Sequence, residues 1–276
     1  MGVACSDNGS SPALPLARAL ATITKYFNSE LVHVMLKLFK NRQKELTKSR
    51  LKLEEDLRNR NLDYLISQMA SDELYSPLLT KKRKSEISNT DNVSWYAYRR
   101  AEELYSDEDK EGLIKMLDNS SYALKRSHIL FALAHLCKNR TDNQLFNVLM
   151  DEIEGLKDTN CKLSILIGIA RMRKAIDLNI EPLKRLTNER SRVIKVNAIL
   201  SLQQTMDKSV EPILLEIFNS TKDNHVKGMI CVPLESIGTE KSIPYLKSKY
   251  KTTRDYGLRY YIERALDEIN KRLGEK

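Results

Sequence analysis

The chain lacks the residue groupings on which most enzymes and metalloproteins depend. Its four cysteines show no pairwise metal-ligand spacing, and none of its four histidines is followed by glutamate. It contains no glycine-rich phosphate loop and no Gly-x-Ser-x-Gly nucleophile turn. We therefore expect no catalytic residue, no metal site and no cofactor, and we expect a protein that is not an enzyme.

Glycine, proline and long apolar runs are also scarce. The 276 residues include 9 glycines and 7 prolines, a composition that favours an all-helical chain. No stretch reaches the roughly 18 uncharged residues of a membrane span, and no signal peptide is recognisable. Cys137, Cys161 and Cys231 lie in apolar runs, as core residues of a reducing compartment do. The sequence therefore predicts a cytoplasmic protein, with membrane-surface association left open.

What the chain does contain is a repeated pattern in its second half. A basic residue, preceded by an apolar residue in all units but the first, recurs every 32 to 36 residues, at Arg126, Lys162, Lys195, Lys227 and Arg259. A small polar residue of the type that caps helix N-termini stands three positions before the apolar one, at Asp158, Ser191, Asp223 and Asp255. A fixed period of this length is typical of stacked structural repeats.

A second series of helix starts lies between these positions. Pro182, Pro212 and Pro244 each precede an apolar run, and proline fits the first turn of a helix, where its missing amide costs nothing. Each unit therefore reads as two helices. The pattern resembles the HEAT repeat, in the variant called HEAT-like or phycobilisome-lyase-like. The resemblance implies an all-α fold, a right-handed α-solenoid of HEAT-like helix pairs whose second helices line a concave face.

The same reading divides the chain into four parts. Residues 1–28 are expected to form a disordered or partly helical tail, and residues 29–76 a long, charged N-terminal helical extension. Residues 77–92 are expected to be a polar, basic linker. Residues 93–276 then form the solenoid, with about five helix pairs and a capping helix. One helix pair cannot bury its apolar stripe alone, whereas stacked pairs share a continuous core.

The net charge of +9 is concentrated before the repeats. Between Lys37 and Lys52 the chain has seven basic residues and one acid, and four more basic residues form the run 81–84. The rest of the chain has 35 basic and 36 acidic residues. A solenoid that wraps nucleic acid carries its positive excess along its own groove. Nucleic acid is therefore an unlikely partner, although a HEAT-like DNA-repair function stays open as a minor alternative.

The basic N-terminal segment predicts contact with an anionic surface. The residues concerned are Lys37, Lys40, Arg42, Lys44, Lys48, Arg50 and Lys52. The start Met1–Ser6 also fits an N-myristoylation pattern, and one acyl chain needs a second signal, such as a basic run, for stable anchoring. For the apolar residues before Lys37, a helix that docks on the first repeat is the favoured explanation, with membrane-surface contact as the alternative. The basic run at 81–84 fits a nuclear import signal or a solvated loop.

The expected function follows from these observations and from the resemblance. We expect a non-catalytic scaffold or adaptor that binds a protein through the concave face of its second helices. The candidate contact residues on that face are Lys184, Arg185, Glu216, Lys247, Lys249 and Tyr250. A membrane-surface adaptor tethered by the basic segment is the alternative. Three tyrosines near the C-terminus, at 256, 260 and 261, form a second candidate surface, although core packing accounts for some of them.

Overall fold

The structure is a computed structural model that describes residues 29–80 and 83–274 of the chain. These residues form thirteen α-helices and no strand, so the expected all-α solenoid is confirmed. The helices are α1 Ser29–Asn59, α2 Leu62–Met69, α3 Val93–Ala101, α4 Asp107–Asp118, α5 Arg126–Arg140, α6 Asn143–Gly155, α7 Thr159–Ile169, α8 Glu181–Leu186, α9 Arg192–Ser201, α10 Val210–Ser220, α11 Asn224–Ile237, α12 Ser242–Thr252 and α13 Tyr256–Gly274.

The helices after Asn92 are arranged as pairs. The first helices of successive pairs (α3, α5, α7, α9 and α11) pack one on the next, and α13 packs on α11 at the end of the row. The second helices are α4, α6, α8, α10 and α12. Four of them pack mainly on the first helix that follows: α4 on α5, α8 on α9, α10 on α11 and α12 on α13. A single apolar core runs through the units, from Leu53 in α1 to Ile269 in α13. This is the continuous core that a stack of helix pairs requires.

The predicted N-terminal helix is interrupted. The apolar pattern predicts one long helix through Met69, but the structure ends α1 at Asn59 and starts α2 at Leu62. The Asn61 side chain accepts a hydrogen bond from the Tyr64 amide at 3.0 Å, so it caps a new helix. The break turns α2 so that it packs against α3, α4 and α5.

The stretch 77–92, expected to be a linker, has structure in its described residues. It forms three short 3-10 turns, at Pro77–Leu79, Lys84–Glu86 and Asn89–Asp91. Leu79 is buried in this stretch, and Leu74 and Asn92 form an isolated antiparallel bridge beside it. The expected tail 1–28, the acylation pattern at its start, and Lys81 and Lys82 of the basic run lie outside the described residues.

The four predicted helix caps are confirmed by hydrogen bonds. The side chains of Asp158, Ser191, Asp223 and Asp255 accept from the amides of Cys161, Ile194, Val226 and Leu258, at distances between 2.7 and 3.5 Å. Two of these caps also connect neighbouring units. Arg192 forms an ion pair with Asp223 at 2.7 Å, and Asn224 donates to Asp255 at 3.2 Å. The polar starts of the repeats therefore form a ladder along one edge of the array.

Two of the five recurring basic residues contact the ends of second helices. Arg126 donates to the Leu117 carbonyl at 3.2 Å, and Lys227 donates to the Phe218 carbonyl. The basic residue follows the carbonyl by nine positions in both cases, and both carbonyls lie in the last turn of the preceding second helix. A cation is favourable there because the last carbonyls of a helix carry partial negative charge. Arg126 also forms an ion pair with Glu152, and Lys162 forms one with Glu189 at 3.4 Å.

Two first helices are shorter than the periodicity predicts. The pattern predicts helices to Lys174 and to Met206, but α7 ends at Ile169 and α9 at Ser201. The two following turns pair with each other, because the Lys174 amide donates to the Gln204 carbonyl and the Met206 amide to the Lys174 carbonyl, at 3.1 and 3.0 Å. In both units, the predicted last helical turn is therefore replaced by these backbone hydrogen bonds between neighbouring repeats.

Candidate functional site

The cysteine and histidine side chains of the described residues lie mostly in the interior. Burial raises the pKa of the Cys137, Cys161 and Cys231 thiols to about 12, so all three are protonated at neutral pH. Burial lowers the pKa of His135 to about 3, which leaves its imidazole neutral. In residues 29–80 and 83–274, no three His, Cys, Asp or Glu side chains come together as a metal site.

The six candidate residues of the second helices differ in exposure: three are exposed and three are partly buried. Arg185, Glu216 and Lys247 are exposed, on α8, α10 and α12 respectively. Lys184 is largely buried and forms ion pairs with Glu181 and Asp207, both at 2.7 Å. Lys184 therefore connects two repeats through its ion pairs and is not available to contact a partner.

Two further candidates on α12 are only partly exposed. The Tyr250 ring lies under the Arg259 guanidinium, with 4.9 Å between the guanidinium carbon and the ring centroid. Lys249 is half-buried and lies close enough to Lys227 and Asp255 to affect both electrostatically. Both residues contribute to the junction between α12 and the terminal helix.

Each second helix after α5 keeps one exposed face. Buried and exposed residues alternate at three- and four-residue spacing, as they do in α6, where Leu145, Leu149 and Ile153 are buried and Asp151 is exposed. We define the second-helix face as the following exposed side chains on α6, α8, α10 and α12: Asn147, Asp151, Glu154, Arg185, Glu216, Asn219, Lys247 and Lys251.

The charge of the second-helix face changes along the array. The acids of α6 are Asp151, Glu152 and Glu154, of which Glu152 pairs with Arg126 of α5 and lies outside this face, and that helix has no lysine or arginine. The basic residues of α12 are Lys247, Lys249 and Lys251, and that helix has no acid. The Glu154–Arg185 ion pair connects α6 to α8 across this surface. Although the net charge of the solenoid is near zero, its second-helix face is acidic at α6 and basic at α12.

The N-terminal helix α1 divides its basic residues between two sides. Leu53 and Leu57 are buried against α3, so they mark the side of α1 that faces the body. Lys44 and Lys48 each lie nine residues before one of these leucines, which is two and a half helical turns and therefore the opposite side. Helical spacing adds three more lysines to that outer side. We call the exposed residues Lys37, Lys40, Lys44, Lys48 and Lys52 the lysine face.

The two arginines of the basic run are on the body side of α1. Arg42 donates to the Leu78 carbonyl at 3.2 Å, and Arg50 forms an ion pair with Glu54 at 3.6 Å. Of the seven residues predicted to contact an anionic surface, five thus point outward and two are engaged by the protein itself. The signal for this division was present in the sequence, in the nine-residue offset between lysines and leucines.

The body-facing apolar stripe of α1 continues past the body. Met35 and Phe39 precede Leu53 and Leu57 by eighteen residues, or five full turns, so they share the same side of the helix. They are 50% and 39% exposed, whereas the two leucines are buried. The part of α1 before the Arg42–Leu78 contact therefore extends beyond the body, by up to about 20 Å from Ser29 to Arg42 at 1.5 Å per residue.

A groove of about 430 Å³ lies where α1, α2, α3 and α4 meet. Its floor is apolar, with Leu57, Leu62 and Met116, and its rim alternates Arg58 and Arg100 with acidic residues. Arg100 pairs with Glu103 at 3.6 Å. Because charges of both signs surround the opening, the groove favours neither an anion nor a cation.

The C-terminal tyrosines are divided between the core and the surface. Tyr261 packs over Gly228, where an added methyl group would lie 2.9 Å from the ring. Tyr256 and Tyr260 are exposed, and Arg264 lies over the Tyr260 ring. Of the three tyrosines, Tyr256 and Tyr260 are therefore the two that are available for a surface contact.

The fold and these surfaces agree with the comparison to known families. A family model of HEAT repeats matches residues 180–267, the stretch from the start of α8 to the middle of α13. The HEAT-repeat resemblance is thereby confirmed for this part of the chain. No curated protein and no solved structure matches the chain significantly. Among the helices of the described residues, none has both the length and the apolar character needed to cross a membrane.

Proposed function

We propose that the protein is a non-catalytic scaffold that binds a protein partner through its second-helix face. HEAT repeats commonly serve as protein-interaction scaffolds, and this chain presents an exposed, ordered face on four successive second helices. The observation that carries the proposal is the charge on that face. Asp151, Glu216, Lys247 and Lys251 are exposed and have no ion-pair partner among the described residues.

Such a surface favours one orientation of a partner. Complementary charges at the two ends of an interface steer encounter and fix register, and like charges at the wrong end oppose binding. The acidic α6 and the basic α12 lie at opposite ends of the second-helix face. A partner with a basic region and an acidic region at the matching separation is therefore favoured over a uniformly charged one.

The test is affinity capture with mass spectrometry, using paired variants. The first variant reverses four charges of the second-helix face, by Asp151→Lys, Glu216→Lys, Lys247→Glu and Lys251→Glu. The control reverses three exposed charges of α13, by Glu263→Lys, Asp267→Lys and Lys271→Glu. We expect the first variant to lose partners that the control retains, with unchanged thermal stability in both. Equal capture by both variants would count against the second-helix face.

A second function is favoured by a separate observation. We propose that α1 also holds the protein at a membrane surface, because its five outward lysines are exposed and lie on one side of a single helix. Basic segments of this kind are attracted to anionic lipids within about a Debye length. Flotation with vesicles tests it: the intact chain should rise with anionic vesicles, and failure to rise with any vesicle would reject this function.

A further inference from the structure

We propose that α1 contacts anionic lipid headgroups through the lysine face alone, while its apolar stripe stays turned away from the bilayer. The attachment is then electrostatic and reversible, with no inserted side chain. This inference rests on the proposed membrane-surface function and specifies which side of α1 performs it.

The first support is the arrangement of the lysine face. Lys37, Lys40, Lys44, Lys48 and Lys52 follow one another at intervals of three or four residues, so they form one stripe along the helix. The stripe covers fifteen residues, or about 22 Å at 1.5 Å per residue. A row of charges on a straight helix fits a planar surface, because all five ammonium groups can reach it together.

The second support is the absence of local neutralisation. In the described part of α1, no ion pair involves any of the five lysines; the acids that do pair, Glu54 and Asp56, bind Arg50 and Arg60. Glu55 shares the lysine face beyond Lys52, at the end nearest the body, and the exposed Glu45 lies at the edge of this face, so five lysines face two acids. The positive potential of the stripe is therefore available to an external anion.

The third support is the type of basic residue. Lysine presents a hydrated point charge, which suits a diffuse layer of lipid phosphates and carboxylates, whereas arginine suits bidentate or stacked contacts. The arginines Arg42 and Arg50 are kept on the body side. The lysine face contains no aromatic side chain on which a nucleic-acid base could stack. Val34, Leu38 and Leu51 are exposed apolar residues beside or between the lysines. These features favour a lipid surface over a nucleic acid.

The fourth support is the side on which the apolar stripe lies. Met35 and Phe39 share the side of Leu53 and Leu57, and the body contacts that side at Arg42 and buries it from Leu53 onward. Inserting Met35 and Phe39 into a bilayer would bring the charged body against the same bilayer. The lysine face is on the opposite side of α1, where the body does not obstruct a membrane.

The experiment uses the full chain and two variants with equal loss of charge. Lys40→Gln with Lys48→Gln removes two charges from the lysine face, and Arg42→Gln with Arg50→Gln removes two from the body side. Each lysine near an anionic surface is worth about 1 kcal/mol, or about fivefold in partition. We therefore expect about 25-fold weaker binding of the lysine variant to phosphatidylserine-containing vesicles, and about threefold or less for the arginine variant.

Three outcomes decide the matter. Equal weakening by the two variants would overturn the inference, because it would show that only net charge matters. Binding to neutral phosphatidylcholine vesicles that Met35→Gln with Phe39→Gln abolishes would also overturn it, by showing insertion, while leaving membrane attachment intact. No binding to vesicles, with a salt-sensitive shift of duplex DNA instead, would reject both the inference and the membrane function. Circular dichroism of each variant controls for folding.

Discussion

The Lys174 Nζ donates to the Gln203 carbonyl at 3.3 Å, across the junction between two repeats. The same amine donates to the carbonyls of Ile169 and Met172, at 3.2 and 2.8 Å. An ammonium group has three N–H donors, and here each has a carbonyl acceptor. Lys174 is fully buried, so this one side chain ties the ends of α7 and α9 together inside the core.

The burial of Lys174 predicts a pH dependence of stability. Burial lowers the pKa of its ammonium to about 7, from an ordinary value near 10.5. Between these values the unfolded chain binds more protons than the folded chain, so the free energy of unfolding rises with pH. The slope from one such group is at most about 1.4 kcal/mol per pH unit.

Replacing the lysine tests this dependence. In Lys174→Met the ionisable group is gone, so we expect a flatter stability profile between pH 7 and 9.5, measured by urea denaturation at each pH. The variant also leaves the Met172 and Gln203 carbonyls without their donor, at a cost of about 1–3 kcal/mol for each unsatisfied group. The Ile169 carbonyl keeps the Met172 amide as a donor, at 3.0 Å. Identical slopes for the two proteins would show that Lys174 does not titrate in this range.

Substitutions of Asp223 can distinguish the stability contributed by the helix cap from that contributed by the ion pair between repeats. Its carboxylate accepts from the amides of His225 and Val226 and pairs with Arg192. We expect Asp223→Ala to destabilise the protein by about 1–2 kcal/mol, because the cap is lost. Asp223→Ser keeps a capping oxygen and loses only an exposed ion pair, so it should cost about 0.5 kcal/mol or less. Chemical denaturation of both variants measures the difference, and equal costs would assign the effect to the ion pair.

Gly168 should be the least replaceable glycine of the array. A Cβ at this position would lie 2.4 Å from the Ala134 Cβ and 3.0 Å from the His135 amide nitrogen, so α5 and α7 would have to separate. At Gly228 the nearest atom belongs to the Tyr261 ring, which can shift. We expect Gly168→Ala to cost about 3 kcal/mol and Gly228→Ala about 1 kcal/mol. The reverse order in denaturant unfolding would mean that the helices do not approach this closely.

Much of the fold could be predicted because its signals are local. The caps at Asp158, Ser191, Asp223 and Asp255 are hydrogen bonds made within four residues, and the 32-residue period fixes which helices are equivalent. The helix ends at Ile169 and Ser201 could not be predicted, because they depend on pairing between turns about thirty residues apart. Asn61 is a residue type that caps helices, so the break was predictable in principle. The apolar pattern, which continues on both sides of Asn61, instead predicted one uninterrupted helix.

Less of the candidate site could be predicted. Residue type alone placed Lys184 and Arg185 together on a binding face, and only the fold shows that Lys184 is held by Glu181 and Asp207. Arg42 and Arg50 of α1 were likewise predicted to contact an anionic surface together with the lysines, because the prediction used residue type alone. Exposure depends on which side of a helix meets the core, and for α1 that side is set by Leu53 and Leu57, far along the chain from Lys37.

The most direct test of the proposed scaffold function is site-specific photo-crosslinking in the cells that make the protein. A photoreactive amino acid is placed at Glu216 or Lys247 on the second-helix face, and at Glu263 on α13 as the control. We predict that the same partner is crosslinked from Glu216 and from Lys247 and is not crosslinked from Glu263. A partner crosslinked from Glu263 alone, or no adduct from either second-helix position, would contradict the account.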